Sequence, residues 1–262
     1  MNVIVPIRQV PGTTQVKIDP QTNTLVRQGI ESIINPFDTY AIEEAVRIKE
    51  KHGGKVTVIT MGPPQADAAL REAISLGADE AVLLSDRAFA GADTWATAFT
   101  LSCAVKKLAP YDLIICGRQT IDGDTGQVGP ELAEMLGIPL IAYVSAVEEI
   151  KDNKIRVKRA IEEGHETLEA VLPALITVSK EINKPRLPSL RGISRSKSAK
   201  INVWGAADIG AAPDSVGLTG SSTQVIKIFF PQRVCAAEML TGTPQEQVDK
   251  LLVKLKDARL VS

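Results

Sequence analysis

Short apolar runs alternate with helix-period segments along the first 137 residues, and few folds accept that order. Asn2–Val10 reads as a strand and Gln15–Arg27 as a hairpin turning at Asp19–Asn23. A helix runs from a cap at Asp38 or Thr39 to Lys51, with Ala41, Ala45, Val46 and Ile48 inward, and Gly53-Gly54 stops it. Lys55–Thr60 is a buried-type strand. Gln65–Leu76 is a helix closed by Gly77, and Glu80–Leu84 is a strand. Asp93–Leu108 is a helix capped by Asp93 or Thr94. Asp112–Cys116 is a strand, and Pro130–Leu136 is a helix ended by Gly137. Strands separated by helices predict βαβ crossovers and therefore an α/β fold, a mostly parallel sheet flanked by helices. Ligands of such sheets bind beyond the carboxyl ends of the strands. Loops leave those ends at Pro6–Gly12, at Met61–Pro64 and at Gly117–Gly129, and Asn35-Pro36-Phe37-Asp38 leads into a helix.

After Ile138 the pattern changes. Leu140–Val147, Lys154–Ile161 and Thr167–Val178 read as strands without helices between them, an antiparallel extension. Asn183–Lys200 is basic, contains no acid, and is interrupted by Pro185 and Pro188, which disfavour regular structure. Residues 205–222 have the Gly, Ala and Ser content of a linker. Thr223–Phe230 reads as a strand, and Pro244–Leu260 as an amphipathic helix with Val248, Leu251, Leu252 and Leu255 as its stripe. The expected organisation is an α/β nucleotide-binding domain over 1–182, a basic docking loop and return strand over 183–204, and a linker with a C-terminal arm over 205–262, which packs back on the domain or reaches across to a partner.

Composition removes several functions. The chain has 262 residues, 44% of them hydrophobic, and a net charge of −1. That balance argues against general nucleic-acid binding, which needs a surplus of Lys and Arg. No apolar run approaches the roughly 20 residues that span a bilayer, and the N-terminus lacks the pattern of an export signal. Cys103, Cys116 and Cys235 form no CxxC pair, which removes the usual zinc and dithiol readings, so no metal site is expected. Their reading is reduced thiols in a cytoplasmic protein. There is no nucleophile elbow and no HExxH motif, so redox chemistry here would have to come from a bound cofactor.

The segment Asp122-Gly123-Asp124-Thr125-Gly126-Gln127-Val128-Gly129-Pro130 joins a buried strand to a helix start. It is neither the dinucleotide GxGxxG nor a P-loop. The amides from Gly126 to Gly129 and the helix dipole suit a diphosphate. Pro130 fits the first helical turn, where no amide is needed. Asp122 and Asp124 would repel phosphate and suit ribose or ribityl hydroxyls. A glycine-rich turn without a ligand is the alternative. Arg118 is either a charge near a bound ring or one half of a surface ion pair. In the basic segment, Leu187 and Leu190 ringed by Arg186, Arg191, Arg195 and Lys197 fit an interface anchor with a charged rim. A solvated connector is the other reading.

These residues resemble the β subunit of electron-transfer flavoproteins. Asn35-Pro36-Phe37-Asp38 followed by YAIEEAVRIKEK, the unit Val58–Leu84, and VKRAIEEGHETLEAVLPALITV over Val157–Val178 carry the likeness in order. The resemblance implies a fold related to the adenine-nucleotide α-hydrolases and an α-subunit partner with its own FAD. It implies cofactor contacts at Pro6, Asn35, Pro36, Phe37, Asp38 and Met61, and along Asp122 to Ala133, which adds Glu131, Leu132 and Ala133. It makes the loop around Leu190 a recognition loop for a partner dehydrogenase. The glycine loop is similar to the electron-bifurcating kind, whose β subunit holds a second FAD, with NAD(H) as substrate. The partners implied are a ferredoxin or flavodoxin and a flavin dehydrogenase or reductase of acyl-CoA, enoyl-CoA or lactate type. Gly123 and Gly126 leave room for a larger ligand against the backbone. The alternative is a simple carrier with structural AMP. A nucleotide-hydrolysing domain is disfavoured, because Arg8-Gln9-Val10-Pro11-Gly12 cannot form a Ser-Gly-Gly-type loop.

Overall fold

Alternate residues of Asn2–Pro6 (β1) enter opposite hydrophobic clusters, Val3 and Val5 in one and Ile4 in the other. A strand apolar on both faces belongs inside a parallel sheet covered by helices on each side. The computed structural model describes residues 1–12, 32–226 and 237–261, and the backbone alone of 17–18 and 25–26. The predicted first strand is interrupted after Pro6. Gln9–Pro11 (β2) instead pairs antiparallel with Ser32–Ile34 (β5) in a separate ribbon. Lys17–Ile18 (β3) and Leu25–Val26 (β4) pair as the expected hairpin, whose turn lies outside the described residues.

The helix Pro36–His52 (α1) begins earlier than predicted, with Asn35 at its N-cap. Asp38 is buried beneath the first turn and caps nothing. Proline at the first helical position needs no amide partner, which favours this start. Lys55–Met61 (β6), Asp67–Leu76 (α2), Glu80–Leu84 (β7), Thr94–Lys107 (α3), Leu113–Gly117 (β8) and Val128–Leu136 (α4) follow in the expected order. Asp93 caps α3, its carboxylate accepting from the Ala96 amide at 3.0 Å.

Leu140–Lys151 (β9), Lys154–Ile161 (β10) and Gly164–Val171 (β11) form the antiparallel extension. Ala174–Val178 (β12) is a separate strand. The predicted single run Thr167–Val178 breaks at Leu172-Pro173, and β12 enters the parallel part of the sheet between β8 and β9. Pro173 cannot donate to a ladder, so the chain turns there. The nine-stranded order is β11-β10-β9-β12-β8-β1-β6-β7-β13, where β13 is Asn202–Trp204, the return strand, parallel to β7. Helices α1 and α2 pack one face and α3 and α4 the other.

The basic segment holds a helix, Leu190–Ser198 (α5). Both prolines precede it, and Ser189 caps it by accepting from the Gly192 amide at 3.0 Å. The stretch with linker composition is packed. Ile209, Ala211 and Val216 are buried in the cluster beneath α3. A Cβ on Gly217 would collide with the Ala88 carbonyl oxygen, so small residues serve close approach there. Thr223–Ile226 forms no strand, and the remainder of that predicted strand lies outside the described residues. Two compact units divide at Ile226. In the second, Pro244–Asp257 (α6) is capped by a reciprocal Thr243–Glu246 box, and Val248, Leu251 and Leu252 of its apolar stripe are exposed while Leu255 is half-buried.

Candidate functional site

The chain runs from β1 outward through β6 and β7, then returns to place β8 on the other side of β1. The crevice beyond the carboxyl ends of β1 and β8 is therefore the topological switch point, where doubly wound sheets bind ligands. A cleft lies there. Pro6, Asp38, Met61, Arg118, Gly123, Thr125, Gly126, Gln127, Val128 and Gly129 line it, all of them expected from the sequence. Ile7, Arg8, Gln119 and Thr120 also line it, as do Asp93, Thr94 and Thr97 at the start of α3. The sequence marked Asp93 and Thr94 only as caps. The turn of the helix that brings them to the switch point is set by sheet order, which spacing does not encode.

Asn35 and Asp38 sew three loops together. The Asn35 side chain, fully buried, donates to the Gln119 carbonyl at 2.9 Å and accepts from the Ile121 amide at 3.2 Å. Asp38 accepts from the Arg8 amide at 2.7 Å. A Cβ on Gly117 would strike the Asp38 carboxylate, so only glycine lets the end of β8 touch the start of α1. Burial raises the Asp38 carboxyl from its ordinary 3.8 to about 7, against the pull of the Arg8 amide, Asn35 and the Arg8 charge. The neighbouring Cys116 thiol is pushed up by burial and then by Asp38, so it is not a thiolate nucleophile. Pro36 is exposed and Phe37 half-buried at the helix start. Cys103 is half-buried and unpaired, and Cys235 lies outside the described residues.

The glycine loop resolves the two aspartates. Asp122 pairs with Arg8, Nη2 to Oδ2 at 2.9 Å, which neutralises the charge that would repel a phosphate. Asp124 stands at φ 55° and accepts from Gln119 Nε2. Both acids thus shape the loop with side chains of the protein itself. Gly126 turns the chain at φ 65°. Gly129 is needed for packing, since a Cβ there would lie 2.8 Å from Thr177 Cγ2. The Asp124 amide donates to the Thr120 carbonyl at 2.8 Å, whereas no described residue accepts from the amides between Thr125 and Gly129. Pro130 follows in the first turn with no amide to satisfy. Glu131 accepts from the Thr94 hydroxyl at 3.1 Å, and its other oxygen is buried with no partner among the described residues. Burial raises its carboxyl, with Asp93 adding to the shift and Thr94 opposing it. Leu132 and Ala133 are core side chains, 0% and 1% exposed, facing away from the cleft.

Arg118 meets no acid within ion-pair distance among the described residues. Its Nε donates to Gln119 Oε1 at 2.7 Å, and its guanidinium lies 5.3 Å from the centre of the Tyr143 ring. Tyr143, a residue the sequence did not single out, stands at φ 61°.

The basic segment is fastened at several points. Arg186 pairs with Glu43 at 2.8 Å and with Glu50 at 2.6 Å. Burial pushes the Glu43 carboxyl up, but Arg186 and Arg47 outweigh it and hold it below its ordinary range. Arg195 donates to the Ile74 carbonyl at 2.9 Å and also to that of Ala78, closing the end of α2. Arg71 reaches back to the Ser196 carbonyl at 2.8 Å. Leu187 and Leu190 are each 88% exposed, and Arg191 is exposed beside them. Among the described residues no cluster of His, Cys, Asp and Glu is placed to hold a metal, and no helix is long and apolar enough to cross a membrane.

A family model described as "Electron transfer flavoprotein domain" matches residues 22–209. The chain is 51% identical to an electron transfer flavoprotein subunit beta of Thermoanaerobacterium thermosaccharolyticum, over the full length of both chains. The chain belongs to the electron transfer flavoprotein β-subunit family. This β subunit is also 48% identical, again over the full length of both, to the caffeyl-CoA reductase-Etf complex subunit CarD of Acetobacterium woodii. It is 44% identical to protein FixA of Azotobacter vinelandii, over 97% of this chain and 94% of that one. The cleft of the β subunit fits a dinucleotide on its own terms. Amides with no acceptor among the described residues gather at a helix start, and the nearby Asp122 is neutralised by Arg8.

Proposed function

We propose that this β subunit carries FAD in the switch-point cleft and serves an electron-bifurcating complex. The observation that carries the reading is the glycine loop. Gly123 and Gly126 expose backbone at the cleft, and the amides from Thr125 to Gly129 find no acceptor among the described residues. These amides and the positive end of the α4 dipole would hold the diphosphate. Pro6, Ile7 and Met61 would form the apolar wall, with Thr94, Gln127 and Glu131 offering polar groups to hydroxyls. Asn35, Pro36, Phe37 and Asp38 would hold the loops in register behind that wall, as would Asp122 and Asp124. Pro130, Leu132 and Ala133 would set the helix whose amino end faces the cofactor. Arg118 would place a positive charge at the mouth.

When bound, FAD would supply the redox chemistry, that is hydride uptake from NADH and division of the two electrons between a ferredoxin or flavodoxin and the FAD of an α subunit that serves a partner dehydrogenase or reductase. The protein residues bind, orient and exclude water. The relative CarD, named as part of a caffeyl-CoA reductase complex, supports a reductase of the acyl-CoA or enoyl-CoA class, and lactate-type dehydrogenases fit the same role. Leu187, Leu190 and Arg191 would dock that partner, held in place by Arg186 and Arg195. No nucleic acid or membrane contact is part of this role, and a cytoplasmic setting suits it.

Extraction of nucleotides from the purified αβ complex tests the cofactor. Two FAD per αβ pair are expected. One FAD and one AMP would make the subunit a simple carrier and end the bifurcation reading.

A further inference from the structure

Tyr143 occupies a position that the sheet did not need to distort. Along β12 the register advances two residues, Ile176 to Val178, while β9 advances three, Ile141 to Val144. The extra residue is a bulge, and Tyr143 takes φ 61° in it. A tyrosine in the left-handed region is strained, and such strain persists where surrounding structure holds it and clusters at functional sites. Bulges commonly re-aim a side chain next to a site. Here Thr177 secures the distortion, its hydroxyl accepting from the Tyr143 amide at 3.1 Å.

The ring so aimed is 45% exposed and carries Arg118, whose Cζ lies 5.3 Å from the ring centre, within cation–π range. Arg118 leaves β8 with its amide bonded to the Val178 carbonyl at 3.0 Å, so its side chain reaches across the end of β12 to the tyrosine. Its Nε is held at 2.7 Å by Gln119 Oε1, and Gln119 is held in turn by Asp124, the other strained non-glycine residue of this rim. The guanidinium is thus fixed on one face and one edge. Its two terminal amino groups meet no acceptor among the described residues, and Arg118 is one of the residues that line the cleft. Glu181 is the other charged group that senses Arg118. Its carboxyl is held low chiefly by the Ser179 hydroxyl and in smaller part by the charges of Lys180 and Arg118.

We infer that Tyr143 is a positioning residue, bulged out of the sheet so that its ring fixes the Arg118 charge against an anionic part of the nucleotide bound in the cleft. This rests on the reading that the cleft holds FAD. Two parts of FAD supply anionic oxygen, the diphosphate and the pyrimidine end of the reduced ring. A solvated arginine would sample many rotamers, and the ring restricts it before the ligand arrives.

The test compares Tyr143→Gly and Tyr143→Phe in the αβ complex. Glycine removes the ring and tolerates the positive φ, so the fold is expected to survive, as circular dichroism would report. FAD affinity is read by titrating flavin-depleted complex, and the midpoint potential of the β flavin by spectroelectrochemistry. If Arg118 faces the diphosphate, Tyr143→Gly weakens FAD binding about tenfold with the potential unmoved. If it faces the ring, the potential falls while affinity changes little. In both cases Tyr143→Phe, which keeps the ring face, restores the wild-type value. Unchanged affinity and potential in Tyr143→Gly, or failure of Tyr143→Phe to restore them, would overturn the inference. Failure of the wild-type complex to take up FAD in this subunit would instead overturn the cofactor reading beneath it.

Discussion

Asp38 holds a proton near neutrality because three loops close over it. Its folded value, about 7, stands above the ordinary 3.8. Below pH about 4 the carboxyl is neutral in folded and unfolded chains alike. Between about 4 and 7 the unfolded chain ionises while the folded one keeps its proton, so the stability contributed by the neutral carboxyl is lost as pH rises through about 7. The difference of about three pKa units sets an upper bound of about 4 kcal/mol. Asp38→Asn keeps an acceptor for the Arg8 amide and cannot ionise. It is expected to flatten the fall in stability between pH 5 and pH 8, and to exceed the parent at pH 8. Urea unfolding at the two pH values measures this, and an unchanged slope would refute it. The sequence marked Asp38 as a helix cap and, by resemblance, as a cofactor contact. It did not show the burial, which depends on Gly117 and Arg8 arriving from separate strands. The same holds for Asp122. Its spacing suggested a partner for hydroxyls, and only the fold brings Arg8 to 2.9 Å.

Helix α5 shows what local signals omit at the scale of an element. Its prolines read as breakers, and they do keep 185–189 irregular, but a serine cap and a helical run follow immediately. Arg186 then spends its charge on α1 and Arg195 on the end of α2, while Arg71 of α2 reaches back to α5. Leu187, Leu190, Arg191 and Lys197 of the expected docking set remain presented. Aliphatic anchors exposed to this degree at the start of a fastened helix and just before it suit docking, because little conformational freedom is lost on contact. Leu190→Ala is therefore expected to weaken electron delivery to the partner dehydrogenase, by on the order of 2 kcal/mol in apparent affinity, with flavin content unchanged. Stopped-flow transfer at varied partner concentration reads the effect, and wild-type concentration dependence would remove Leu190 from the interface. The parallel strands β1, β6, β7 and β8 were legible because each is apolar on both faces. The place of β12 was not, since insertion beside β8 is a long-range pairing. Residues 205–222 have a linker composition and yet bury Ile209, Ala211 and Val216, because small residues suit flexibility and close packing equally.

Both hydrophobic clusters of the described residues end by Val216, and the first compact unit ends at Ile226. The second compact unit runs from Lys227 to Ser262. Within it, α6 leaves Val248, Leu251 and Leu252 between 47% and 57% exposed, and with the half-buried Leu255 they form one apolar face of the helix. A face of that kind calls for a cover, and the proposed cover is the α subunit. A chain truncated after Ile226 is then expected to fold, because the sheet, its helices and the cleft are all retained. Its thermal midpoint should stay within a few degrees of the full chain, since a loss of 1 kcal/mol shifts domains of this size by about 2–4 °C. Co-purification with the α subunit should fall sharply at the same time. A large drop in the midpoint of the isolated chain would mean that the C-terminal unit covers its own first domain. Undiminished co-purification would place the α-subunit contact elsewhere on residues 1–226.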